Sequence, residues 1–166
     1  SIPNPIVLKD LNEHQAPDAM KSELPKMMLT DPYLKDLQVQ AESNPKNKHS
    51  YMMLGFKYFL HKWVENEISV AGVIPWKEFR INSVNGLNSI LKNTEKGETI
   101  GVFTSGGTIS SMVSEVLKIT NEITVADLNF SVRNTSFSSL LFSNNETSLL
   151  SFNELPHLEG KMITFV

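Results

Sequence analysis

"GVFTSGGTIS", residues 101–110, decides the fold. It completes a short, nearly all-apolar run, "TIGVFT" (99–104), which reads as a strand covered on both faces. Ser105, Gly106 and Gly107 follow, and then Ile109, Met112, Val113, Val116 and Leu117 recur at the spacing of a core-facing helix. Strand, tight turn and helix together place a loop at the carboxyl end of a sheet strand, where ligands of α/β proteins collect. Glycines let backbone N–H groups approach such a ligand closely, and the helix start adds the positive end of its dipole. A phosphate is the natural occupant. A plain strand-to-helix turn, with Ser105 or Thr108 as N-cap, accounts for the same residues.

Outward from this motif the pattern alternates between helix and strand. Met52, Phe56, Phe59, Leu60 and Trp63 form one helical stripe, with Lys57 and Lys62 opposite. Phe79, Val84, Leu87, Ile90 and Leu91 form a second, closed near Gly97. "SFSSLLF" (136–142) and "SLLSF" (148–152) flank the turn-rich "SNNET" and predict a β-hairpin, and "MITFV" a closing strand. Toward the N-terminus, Pro3 and Pro5 impose extended backbone. Asp18 is placed to cap a helix over 19–29, and the polar residues 40–50 read as an exposed loop. The sum is a layered α/β domain.

Composition narrows the function. The 166 residues fit one domain, and a net charge of −3 with only two arginines, Arg80 and Arg133, argues against nucleic acid as partner. Absence of cysteine removes disulfides, thiolate metal sites and cysteine nucleophiles, and no metal or cofactor is expected. No apolar run approaches the roughly 20 residues that span a bilayer, so a cytoplasmic protein with no membrane partner is expected.

Four segments, in order, resemble the histidine phosphatase (phosphoglycerate mutase-like) superfamily. "LNEHQ" (11–15) is similar to its Leu-x-Glu segment, and "PWKEFRINSVNGLNSIL" (75–91) to its helix with an aromatic-rich start. "GETIGVFTSGGTISSMVSEVLKI" (97–119) resembles its second active-site strand and helix, usually Val-x-Ser-His-Gly-Gly. "RNTSFSSLLF" (133–142) and "LLSFNELPHL" (149–158) resemble its closing pair. The resemblance implies a three-layer α/β/α sandwich and hydrolysis of phosphomonoesters through a phosphohistidine. It casts Glu13 as proton donor and places Ser105 and the Gly106 N–H at the phosphate, with a small phosphorylated substrate or phosphate ion as partner.

The chain also departs from the pattern. No Arg-His-Gly triplet is present, and His14, His49, His61 and His157 stand in the wrong context to replace it. Residues 1–166 are therefore expected to be the C-terminal portion of one such domain, with 16–70 a variable helical insertion. The nucleophile and first strand would come from an N-terminal portion of the same protein, without which the chain is expected to be inactive and poorly stable. His157 and Asn134 are expected to be structural, and Arg80 to lie away from the phosphate. Ser105 takes the place of the family's second histidine and cannot carry positive charge, so a catalytically impaired phospholigand- or protein-binding module is the alternative. "SGGTIS" (105–110) also resembles the nucleophile loop of bacterial-type asparaginases, a remote alternative lacking that family's Gly-Thr-Asp motif.

Overall fold

A computed structural model of the chain describes residues 4–143 and 146–164. The protein is mixed α/β, with six α-helices and one two-stranded antiparallel sheet among the described residues. It divides into two compact units, Gln15–Trp76 and a second built from Ser1–His14 with Lys77–Val166.

The first unit is helical and includes residues 16–70. Helix α1 (Ala16–Thr30) starts three residues earlier than predicted. Pro17 occupies its first turn, where no N–H is needed, and Asp18 lies inside that turn instead of capping it. Asp31 caps α2 (Pro32–Ser43), its carboxylate accepting the backbone N–H of Tyr33 at 2.9 Å and of Leu34 at 3.2 Å. Residues 40–50 are thus no simple loop. The end of α2, a single 3-10 turn at Pro45–Asn47 and the start of α3 (Lys48–Val64) fill them. The polar composition of this stretch reflects exposed helix surface.

Phe59, Leu60 and Trp63 on α3 are buried as the stripe predicts, whereas Met52 at its start is largely exposed. Leu34 and Leu37 of α2 close over Gly55, and Trp63 meets Trp76 edge to face with ring centres 6.0 Å apart.

In the second unit, α4 (Trp76–Lys92) carries the predicted stripe, with Phe79 and Leu87 buried. Helix α5 (Gly106–Val116) follows the opening motif, and α6 (Glu122–Asn129), which the sequence did not announce, packs on it. Lys118 ends α5 in the left-handed region at φ 59°, and Ile119 N–H donates to Ser114 O at 2.8 Å to close the turn. Arg80 reaches across from α4 to donate to the carboxylate of Glu122 and, at 2.8 Å, to the carbonyl of Ile119.

The predicted hairpin forms, with β1 (Phe137–Ser143) against β2 (Glu146–Glu154) and Leu140 opposite Leu149. Asn153, at φ 63°, clasps the hairpin to the preceding segment, accepting from Arg133 N–H at 2.8 Å and donating to Ser131 O at 2.6 Å.

One strand expectation fails, and another falls partly outside the described residues. Residues 99–104 pair with nothing among the described residues, and the run lies open, Phe103 being 98 % exposed. A strand covered on both faces requires neighbours on both sides, and no described segment supplies them. At the C-terminus, Gly160–Met162 forms a 3-10 turn and Thr164 pairs with Asn134; Phe165 and Val166 lie outside the described residues. The sheet is thus smaller than a three-layer sandwich needs.

Candidate functional site

Helix α5 begins at Gly106 with Ser105 as N-cap residue, extended at φ −95° and ψ 170°. Ser105 makes no capping hydrogen bond, and its hydroxyl oxygen is buried without a partner among the described residues. Gly106, Gly107 and Thr108 are buried, and their N–H groups take part in no described hydrogen bond. Ser110 and Ser111 return their hydroxyls to the carbonyls of Gly106 and Gly107, at 2.8 and 2.9 Å, leaving only donors at the helix start. Buried donors aimed from a helix N-terminus favour an anion.

The segment around Glu13, some ninety residues distant in sequence, lies directly against this start. Thr104 donates its hydroxyl to Leu11 O at 2.7 Å, and Thr108 donates to Asn12 O at 3.2 Å. Leu11 in turn fills the space over Gly86 of α4, where a Cβ would collide with it. The approach at Gly107 is closer than any side chain permits: a Cβ there would stand 2.5 Å from His14 Cδ2 and 2.6 Å from Glu13 Oε1. Glycine at 107 is thus required by the meeting of the two segments.

The three residues predicted for the site, Glu13, Ser105 and Gly106, belong to these two adjoining stretches. Glu13 is only partly covered, its side chain 38 % exposed, so its carboxyl has access to solvent.

His14, excluded on its sequence context as the missing nucleophile, is the residue the fold adds. It is 7 % exposed and its ring stands edge-on to Phe79 with centres 5.5 Å apart. Nε2 lies 3.3 Å from the amide of Asn129 on α6 and 3.4 Å from Glu13 Oε1, and the His14 backbone N–H donates to that same oxygen at 2.8 Å. Burial pushes the imidazole below its ordinary value of 6.5, opposed in part by the Glu13 carboxylate and a backbone hydrogen bond. The sequence carried no usable signal for this, because the amide lies on α6, a helix the sequence did not announce.

The remaining polar residues have other duties. Arg80 lines an open groove of about 260 Å³ with Lys77 and Glu115, and this groove includes neither Glu13 nor Ser105. His157 stands 3.3 Å from Thr135 Oγ1 and edge-on to Phe137, bracing the start of β1, and Asn134 ties that turn to Thr164. His49 is exposed on α3. Among the described residues no group of three or more His, Asp or Glu could hold a metal ion, and no helix is long and apolar enough to cross a membrane. No protein-family model, curated protein or solved structure matches the chain.

Proposed function

We propose that the protein is a phosphatase of the histidine phosphatase superfamily, hydrolysing a small phosphomonoester with Glu13 as proton donor and the start of α5 as phosphate seat. The observation that carries this reading is the junction of 11–14 with 104–108. Two segments singled out separately meet so closely that only glycine fits at 107. Such a junction places a carboxyl group beside a cluster of buried N–H donors. The donors would hold the phosphoryl oxygens, and the carboxyl would protonate the departing alkoxide.

The nucleophile is assigned to a histidine supplied by a segment upstream of Ser1, together with the strands that complete a phosphoglycerate mutase-like sandwich. The unpaired, exposed 99–104 segment, with Ile100, Val102 and Phe103 open to solvent, supports a partner strand there. The test is to extend the chain upstream and assay p-nitrophenyl phosphate. Turnover abolished by replacing an upstream histidine in an Arg-His-Gly context supports the reading; no such triplet and no turnover refute it. One observation favours a second reading: Ser105, buried and neutral, can hold a phosphate but cannot offset its charge as an imidazolium would. A phospholigand-binding module follows from that, and calorimetric binding of inorganic phosphate without turnover would select it.

A further inference from the structure

We propose that Thr104 and Thr108 are positioning residues for Glu13: their hydroxyls hold the two peptide planes that precede Glu13 and so set where its carboxyl stands against the start of α5. The inference rests on the reading of Glu13 as the proton donor.

The two threonines flank Ser105, Gly106 and Gly107 in the chain, and they reach two successive carbonyls. Thr104 donates to Leu11 O at 2.7 Å and Thr108 to Asn12 O at 3.2 Å, with Leu11 O a further, longer contact of Thr108 at 3.5 Å. The 3-10 turn Lys9–Leu11 makes its last backbone bond from Asn12 N–H to Lys9 O at 3.1 Å, and Asn12 then runs extended at φ −67° and ψ 153°. The carbonyls of Leu11 and Asn12 emerge beyond that turn, as the last acceptors of a helix do, and side chains of another segment take them up.

A peptide unit is planar, so a hydrogen bond to its carbonyl orients the whole unit. Thr104 orients the plane that joins Leu11 to Asn12, and Thr108 the plane that joins Asn12 to Glu13. With both planes held, the dihedrals of Asn12 are set and the Cα of Glu13 is placed relative to α5. The side chain is steadied in turn by the His14 backbone N–H, which donates to Oε1 at 2.8 Å. Oε1 then stands 2.6 Å from the position a Cβ on Gly107 would take. Threonine suits the task, because branching at Cβ restricts χ1 and so presets the direction of the hydroxyl. Thr108 is fully buried and Thr104 half-buried, which limits competition from water. A general acid must stand about 2.6–3.2 Å from the oxygen it protonates, and a displacement of about 1 Å can cost about a hundredfold in rate.

The experiment uses the protein extended upstream and compares valine, which keeps the shape of threonine without its hydroxyl, with serine, which keeps the hydroxyl. p-Nitrophenyl phosphate has a leaving group that needs little protonation; β-glycerol phosphate has an alkoxide that needs it fully. Thr104→Val and Thr108→Val are each expected to lower kcat/KM for β-glycerol phosphate by about tenfold to a hundredfold, and for p-nitrophenyl phosphate by less than about threefold. Thr104→Ser and Thr108→Ser are expected to recover most of the loss. Equal losses on both substrates, no loss, or serine variants as impaired as the valine ones would overturn the inference, since a merely structural role does not discriminate between leaving groups. Should Thr108→Val lose its fold by circular dichroism, Thr104→Val, at the half-buried position, carries the measurements. Independently of turnover, hydrogen exchange at the His14 backbone N–H, followed by NMR, should quicken by about tenfold or more in the valine variants. The Val125 N–H of α6, which donates to Asn121 O at 3.1 Å, should change by less than about threefold. Exchange that rises equally at both amides, or at neither, overturns the inference as well. A wild type that turns over neither substrate defeats the phosphatase reading, and selective quickening at His14 then leaves the threonine tether of Glu13 standing.

Discussion

Replacing Gly107 by alanine tests the junction on which the site depends. In a helix interior alanine is favoured over glycine by about 1 kcal/mol, so a helix considered alone would gain from the change. Here the added Cβ would meet His14 Cδ2 at 2.5 Å and Glu13 Oε1 at 2.6 Å, against an ordinary carbon–carbon contact of roughly 3.5–4.0 Å. The 11–14 segment would have to retreat by about 1 Å. His14 cannot swing aside, because Phe79 and Asn129 hold its ring, and Leu11 is tied through its carbonyl to Thr104. Overpacking of this kind costs about 1–3 kcal/mol, which at the middle of that range outweighs the helical gain and leaves a net loss of about 1 kcal/mol, at most about 2 kcal/mol. With a urea dependence of about 1–3 kcal/mol per molar, the unfolding midpoint should fall by roughly 0.5–1 M. Circular dichroism at the helical band is the right probe, because both tryptophans belong to the Gln15–Trp76 unit and report on the other half of the molecule. An unchanged or raised midpoint would show that the two segments do not meet as described, and the candidate site would fall with them.

Gly55→Ala should do the opposite: its Cβ meets Leu34 Cδ2 at 3.8 Å and Leu37 Cδ1 at 3.9 Å, ordinary contacts, so a gain of about 0.5–1 kcal/mol in urea unfolding is expected. Asp31→Ala removes both the cap of α2 and the acceptor of the Tyr58 hydroxyl at 2.7 Å, and should cost about 1–2 kcal/mol, measured by thermal melting with tryptophan fluorescence. His14 titrates lower folded than unfolded, so the unfolded chain binds its proton first as pH falls. Its contribution is complete above about pH 6.5 and is lost as pH drops through the lowered value. Urea midpoints from pH 8 to 5 should fall more steeply for the wild type than for His14→Gln, and parallel slopes would contradict the burial described.

What the sequence reveals and conceals follows from where each signal is written. The stripes of α3, α4 and α5 were legible because their apolar residues recur at helical spacing, and the hairpin because turn residues separate two apolar runs. Helix α6 was not, since the stop before it is made by Lys118 at φ 59°, where glycine would have served as punctuation. Helix α2 was hidden for a related reason: Asp31-Pro32 reads as a loop until the carboxylate is seen capping. The 99–104 segment carries the composition of a buried strand without the neighbours that bury it, so composition alone misplaced it. At the site, Glu13, Ser105 and Gly106 came from motif likeness, while the role of His14 depends on contacts across the fold with Phe79 and Asn129.

Arg80 has one further consequence. Its guanidinium binds the carbonyl of Ile119, just past the end of α5, and the carboxylate of Glu122, in the opening turn of α6. One planar cation therefore sets the angle at which two successive helices join, much as a bracket sets a corner. Asn129, at the far end of α6, is the residue that reaches His14. A lysine at 80 could satisfy one partner but not both, and a change in that corner would be carried along the helix to the imidazole. A substitution at residue 80 would thereby be felt at a buried imidazole on another part of the same unit.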